Sequence, residues 1–281
     1  MTVRKILIFL ILAALVLTGC VPAGEAPREE TQVPVIIATE PATEPTATEP
    51  PATEPPATEP EETLPPETEP PTHPLHSELY IEELEVADVI LYFNEVCLDA
   101  EVVHGGDASL LQKWAEPIRY TLFGEYTQED LETLTAFCGW LNTVEGFPGI
   151  GEAEDSLQAN LRIHFCTQDE MPALMGDWAV GLDGAVTFWY LDDEIYDATI
   201  CIRRDISQDL RNSIILEELY NGLGPVQDTA LRPDSIIFAE YSQPQDLTPV
   251  DRLLLQLLYH PTLVCGMDAA ACEEAIRNLY Y

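Results

Sequence analysis

Residues 33–75 set the first limit on this chain, because their composition bars them from building a core. The segment opens Val33-Pro34-Val35-Ile36-Ile37-Ala38, and Thr-Glu-Pro then occurs six times, starting at Thr39, Thr43, Thr48, Thr53, Thr58 and Thr68. Proline fixes φ, glutamate repels glutamate, and apolar side chains are nearly absent. Such a segment cannot bury enough surface to offset its ordering entropy. It is expected to be disordered and to sample polyproline II at about 3.1 Å per residue, a reach of up to roughly 130 Å. This is a spacer suited to crossing a cell-wall layer. Folding is left to residues 76–281, about 205 residues, which suffice for one well-buried core.

The residues before the spacer carry an address. Arg4 and Lys5 precede an unbroken apolar run from Ile6 to Leu17, followed by Leu17-Thr18-Gly19-Cys20. A dozen apolar residues fall short of the roughly 20 that span a bilayer and fit the h-region of an export signal. The Leu-Thr-Gly-Cys ending resembles a lipobox, in which the cysteine becomes the lipidated first residue of the mature protein. The division expected is therefore 1–19 signal peptide, 20–32 lipidated N-terminus, 33–75 linker and 76–281 folded domain. A diacylglyceryl group at Cys20 supplies two chains, which anchors stably where one chain binds only marginally. The plainer reading is a signal peptide that ends in cysteine by chance. Either way the chain is exported, and the lipid anchor makes the membrane its first partner.

Cysteine usage agrees with an oxidising location. Cys97, Cys138, Cys166, Cys201, Cys265 and Cys272 remain after Cys20, and six cysteines allow fifteen pairings that sequence does not resolve. Cys265 with Cys272 could close a small loop, and Cys166 with Cys201 could join two strands of one sheet. Buried free thiols are the alternative. No Cys-x-x-Cys is present, which argues against a zinc knuckle or a thioredoxin-type site.

The chain holds 50 acidic residues against 12 basic ones, and 12 of the acids lie in 21–75. The folded part is thus itself strongly acidic, which disfavours nucleic acid and anionic lipid headgroups. It would suit calcium, basic peptides or cationic wall components, although solubility alone explains such a surface.

Hydrophobic spacing gives an α+β order. A helix is expected over 78–98, a strand over 118–123, and a helix from Gln128 to about Val144 capped by Thr127. Strands follow at 160–166, 185–190 and 198–203. Leu216, Leu219, Tyr220 and Leu223 stand at i, i+3, i+4 and i+7 in a helix over 207–221, with Gly222 or Gly224 as a left-handed end. Thr248-Pro249-Val250-Asp251 is a strong helix start, leading into 250–259, and a last helix covers 269–279. A mixed sheet with one central helix packed against it accounts for this order.

The helix Ile214-Ile-Leu-Glu-Glu-Leu-Tyr-Asn-Gly-Leu-Gly224 is where chemistry is to be sought. Its frame resembles the His-Glu-x-x-His-x-x-Gly helix of metzincin peptidases. Asp234 to Tyr241 resembles their Met-turn, with Ile237 where methionine would stand, and Leu247 to Tyr259 resembles their final helix. The closest resemblance is to a bacterial domain family of unknown function (two-nine-two-seven), whose members carry Ile-x-Glu-Glu-Leu-x-Gln-Gly-Leu-Gly. Here that stretch is Ile215 to Gly224, with Asn221 in the glutamine's place. The match continues through Asp228, Pro233 to Phe238, Asp251 to Tyr259, Pro261 and Gly266-Met267. These resemblances imply a zincin-like fold.

A zincin needs two helical histidines and a third ligand around an open metal position. The corresponding positions here are Glu217, Asn221 and the neighbourhood of Gln227 and Asp228, and amides are poor zinc ligands. Glu218 keeps the general-base position but has no metal-activated water to act on. No cofactor is therefore expected, unless Glu217, Asn221 and Asp228 hold a hard divalent cation through oxygen. Alternatively Glu217 and Glu218 are ordinary helix residues, one exposed and one hydrogen-bonded. The sequence offers no Gly-x-Ser-x-Gly elbow and no phosphate loop. The expectation is a non-catalytic, membrane-anchored module that binds a peptide, glycan or protein partner and no nucleic acid. The alternative is an atypical hydrolase with Glu218 as general base.

Overall fold

The computed structural model describes residues 35–39, 79–81, 84–98, 110–239 and 244–280, all within the unit Gln32–Tyr281. The expected signal peptide, Cys20 and most of the linker lie outside the described residues.

The body is α+β. Its elements are β1 (Val35–Thr39), α1 (Val86–Leu98), β2 (Lys113–Trp114), β3 (Ile118–Gly124), α2 (Gln128–Leu141), β4 (Ile150–Glu152), β5 (Leu161–Cys166), α3 (Met171–Met175), β6 (Gly184–Leu191), β7 (Glu194–Arg203), α4 (Gln208–Asn221), α5 (Pro249–Tyr259) and α6 (Ala269–Tyr280). One sheet runs in the order β1-β6-β7-β5-β3-β4, with β2 paired to β7. β4, β3, β5 and β7 are mutually parallel, whereas β6 is antiparallel to β7. Parallel neighbours need crossovers, and α2 is the one between β3 and β4. β6 and β7 need only a two-residue turn. Asp192 and Asp193 form it with φ of 51° and 62°, the two positive values that a type I′ turn requires.

The alternation in the strands sorts side chains onto two faces. Ile163, Phe165, Val186, Phe188, Ile200 and Ile202 enter the main core. Cys166, Ala185 and Cys201 enter a smaller cluster with Met171, Ala179 and Leu182, against which Trp178 packs. The helix starts follow the expected cap chemistry. Thr127 and Asp130 form a capping box on α2, and Thr248 and Asp251 form one on α5 with Pro249 in the first turn.

Four expectations change. The 33–75 linker is interrupted, because the β-branched run Val35-Ile36-Ile37 forms β1 on the sheet edge. The first helix begins at Val86, not Glu78, so Ile81 and Leu84 pack on the core from the approach to it. Three short elements, β2, β4 and α3, were too brief for periodicity to register. Finally, α4 ends at Gly222 with φ −66°, and the positive φ of 124° falls at Gly224, where a Cβ would collide with the Gln112 carbonyl.

Candidate functional site

α4 is polar by composition, yet every residue from Arg211 to Asn221 is buried. A single apolar stripe was expected, but the helix is packed on all sides. Its last turn is held from outside: Trp114 Nε1 donates to the Gly222 carbonyl at 2.8 Å, and Tyr259 Oη donates to that of Leu223 at 2.7 Å. Buried donors thus satisfy carbonyls that a helix end leaves open. Tyr220 Oη donates to the Asp251 carbonyl at 3.1 Å, which ties α4 to α5.

This packing places the residues of the motif. Glu217 is 9% exposed and Glu218 and Asn221 are fully buried, so the expectation that one glutamate faces solvent is corrected. Glu218 lies against the first residue of β6. A Cβ on Gly184 would overlap the Glu218 carboxylate and approach Ile214 Cγ2 to 2.5 Å, so glycine is what lets helix and strand meet here. Neither amide atom of Asn221 has a hydrogen-bond partner among the described residues. Asp228 is half-buried in the following loop. Next to it, Thr229 donates to Glu95 of α1 at 2.5 Å, and the Ala230 amide donates to the same carboxylate at 3.1 Å. Among the described residues, no three His, Cys, Asp or Glu side chains come together in a way that could hold a metal ion.

Of the stretch likened to a Met-turn, the described part Asp234–Ala239 forms a turn whose middle, Ser235–Ile237, is buried. Ile236 and Ile237 are core residues, and Thr229 bridges to Phe238 through the Ile237 carbonyl and the Ala239 amide. Asp251 organises it, accepting from Ser235 Oγ at 2.6 Å and from Thr248 Oγ1 at 2.7 Å. Burial raises the Asp251 carboxyl above its usual range, and these hydrogen bonds oppose the rise. The network extends from Ser235 to Tyr92 at 3.2 Å. It lacks a histidine and cements α1, α4 and α5 together.

A hollow of about 420 Å³ opens at the carboxyl ends of β3 and β5, lined by His164, Cys166, Glu170 and Arg204 among others. Ligands of open α/β sheets bind at such strand ends. Arg204 is engaged there by Glu125 and, at 3.7 Å, by Glu170. His164 stacks on Phe123 at 4.6 Å, and burial together with nearby Arg162 lowers its pKa, so it is neutral at pH 7. His260 caps α5 and bonds to Thr262 at 2.9 Å. His104 lies outside the described residues.

The six described cysteines are thiols. Neither suggested bridge, Cys166–Cys201 or Cys265–Cys272, is formed. Cys265 Sγ donates to the Lys113 carbonyl at 3.7 Å, and burial lowers the pKa of the Lys113 ammonium. That ammonium is held by the carbonyls of Leu258 and Leu263. Cys166 and Cys201 lie on the adjacent strands β5 and β7 and share a thiol–thiol hydrogen bond. That contact lowers the Cys166 thiol and, together with burial, raises the Cys201 thiol.

Two features of the site escaped sequence reasoning. One is the approach of Glu218 to Gly184, which depends on sheet order. The other is the Asp130–Arg211 ion pair at 2.7 Å, which joins residues 81 apart. No curated protein and no solved structure matches this chain. The model of the family described as "Protein of unknown function (DUF2927)" matches residues 87–278, from α1 through α6, and the chain belongs to that family.

Proposed function

We propose that the protein is an extracytoplasmic lipoprotein, anchored through Cys20, whose folded body binds a partner without catalysing its turnover. One observation carries this reading: Glu218, the residue in the general-base position, is fully buried against Gly184 of β6. A general base must reach the proton it abstracts directly or through one water, and a sealed carboxylate does neither. The strand order adds support. A parallel sheet with one antiparallel strand, β6, beside a central helix, is the arrangement expected of a zincin core, and here the ligand positions hold Glu217 and Asn221. The 33–75 segment would hold the body away from the membrane. No helix among the described residues is long and apolar enough to cross a bilayer.

Glu218→Gln tests the reading. Incubated with a proteome-derived peptide library, wild type and variant should give the same fragment-free mass spectra. Cleavage by the wild type, lost by orders of magnitude in the variant, would establish a hydrolase. Cys20→Ser tests the anchor: the protein should move from the membrane fraction to the medium or remain as precursor. A variant processed normally and still membrane-bound would refute it.

A further inference from the structure

The edge of the sheet at β6 carries the next step. On one side β6 pairs with β7, and on the other with β1, from Val35 opposite Phe188 to Thr39 opposite Gly184, in antiparallel register. The covering strand is remote in sequence. Residues 40–85 separate it from α1, and it lies outside the family-matched span 87–278. That span by itself ends its sheet at β6, an eight-residue strand, whereas β4 at the other edge has three. A long strand edge with unpaired N–H and C=O groups is a template for an added strand.

We propose that the outer edge of β6 is a binding site for an extended, β-branched apolar peptide, and that Val35–Thr39 is its exchangeable occupant in cis. The inference rests on the binding-module reading and adds to it a ligand class and a means of control. Val35-Ile36-Ile37 is the only run of three β-branched aliphatic residues between Cys20 and Leu75, so the tether has one segment suited to the role. Pro34 and Pro41 bracket it and limit its ladder, since proline donates no hydrogen bond. Among the described residues no strand pairs on this side with the far end of β6: Trp189, Tyr190 and Leu191 lie beyond the β1 register, and Leu191 is exposed. A longer apolar strand gains contacts there that β1 does not make. A pairing of five residues is weak on its own, and its hold on the edge comes from the tether, which gives an effective concentration in the mM range. The tether thus both spaces the body from the membrane and sets the threshold a ligand strand must exceed.

The test uses the purified full chain in detergent and a fluorescein-labelled synthetic peptide with the sequence of residues 33–41, beside a scrambled control. The double variant I36P/I37P removes a ladder N–H whichever of the two faces β6. I36D/I37D repeats the test without proline, and circular dichroism checks the body. Both variants should bind the peptide at least about tenfold more tightly than wild type, because the cis competitor is gone. Amide exchange at Gly184–Phe188 should quicken in the variants and slow again with peptide. Equal affinities within about twofold, equal binding of the scrambled peptide, or β6 exchange indifferent to the variants would overturn the proposal. A wild type that dimerises by strand exchange would overturn the assignment in cis. Cleavage of the peptide by wild type but not by Glu218→Gln would sink the non-catalytic reading and leave the strand site standing.

Discussion

The two halves of α4 solve the same problem differently. In the first half, polar side chains are buried and matched. Arg211 Nε meets Asp130 at 2.7 Å, Gln208 Nε2 donates to Asp130 at 2.6 Å and to Asn212 at 2.9 Å, and Asn212 Nδ2 donates to Glu129 at 2.9 Å. In the second half Glu217, Glu218 and Asn221 are as deeply buried, and the Asn221 amide has no partner among the described residues. A buried pair that is fully hydrogen-bonded fixes geometry, whereas an unmatched buried amide costs stability. The first half therefore reads as architecture. The second keeps polar groups that packing alone does not call for.

The sharpest way to break this contrast is Arg211→Leu. It strands Asp130 in the first turn of α2, and removing one partner of a buried pair costs about 3–5 kcal/mol. Calorimetry should show a fall in Tm of roughly 10 °C, at 2–4 °C per kcal/mol for a body of this size. A fall of only a degree or two would mean that the matched cluster does not hold the helix.

Acid should act on the same half. Burial pushes the Asp130 carboxyl up, but hydrogen bonds from the Thr127 amide, Arg211 and Gln208 outweigh it and hold the pKa below the usual carboxylate value. A depressed carboxyl contributes stability that is full above its unfolded pKa, about 3.9, and is lost as pH falls through the lower folded value. Chemical denaturation should show wild type losing its advantage over Asp130→Asn as pH falls below about 4. A constant difference down to pH 2 would contradict this.

Asn221 predicts the opposite sign. Asn221→Leu keeps the number and branching of side-chain heavy atoms, adds the bulk of two methyl groups and removes two polar atoms with no partner among the described residues, so stability should rise by up to about 1 kcal/mol. A loss of that size instead would show that Asn221 has a partner worth keeping. Smallest of all, Glu217→Gln should move the unfolding midpoint by less than about 1 kcal/mol with or without added calcium. A calcium-dependent rise in Tm that this variant abolishes would revive the hard-cation reading. Export carries its own prediction: mass mapping of the secreted protein should find Cys166 joined to Cys201, while Cys265 and Cys272 stay unlinked.

Sequence patterns reached the main elements because their signals are local. Alternation marked β3, β5, β6 and β7, and Thr127 and Thr248 announced the starts of α2 and α5 through their caps. The spacing of Leu216, Leu219, Tyr220 and Leu223 located α4 but showed only one buried stripe. The burial of Glu217, Glu218 and Asn221 comes from elements far away in the chain, and no helical periodicity encodes it. Likewise Val35-Ile36-Ile37 was absorbed into a proline-rich composition, although its β-branching was visible, because the strand it pairs with lies some 150 residues on. The site was legible as a motif on α4. What was not legible is its seal, which depends on Gly184 of β6, a residue with no local reason to stand out.

Metal content tests the central claim most directly. The full chain, purified without chelator, should carry well below one equivalent of any divalent metal by inductively coupled plasma mass spectrometry, and the same should hold for Glu217→Ala and Asp228→Ala. One zinc or calcium per chain, lost in either variant, would contradict a non-catalytic body and return Glu218 to the role of general base.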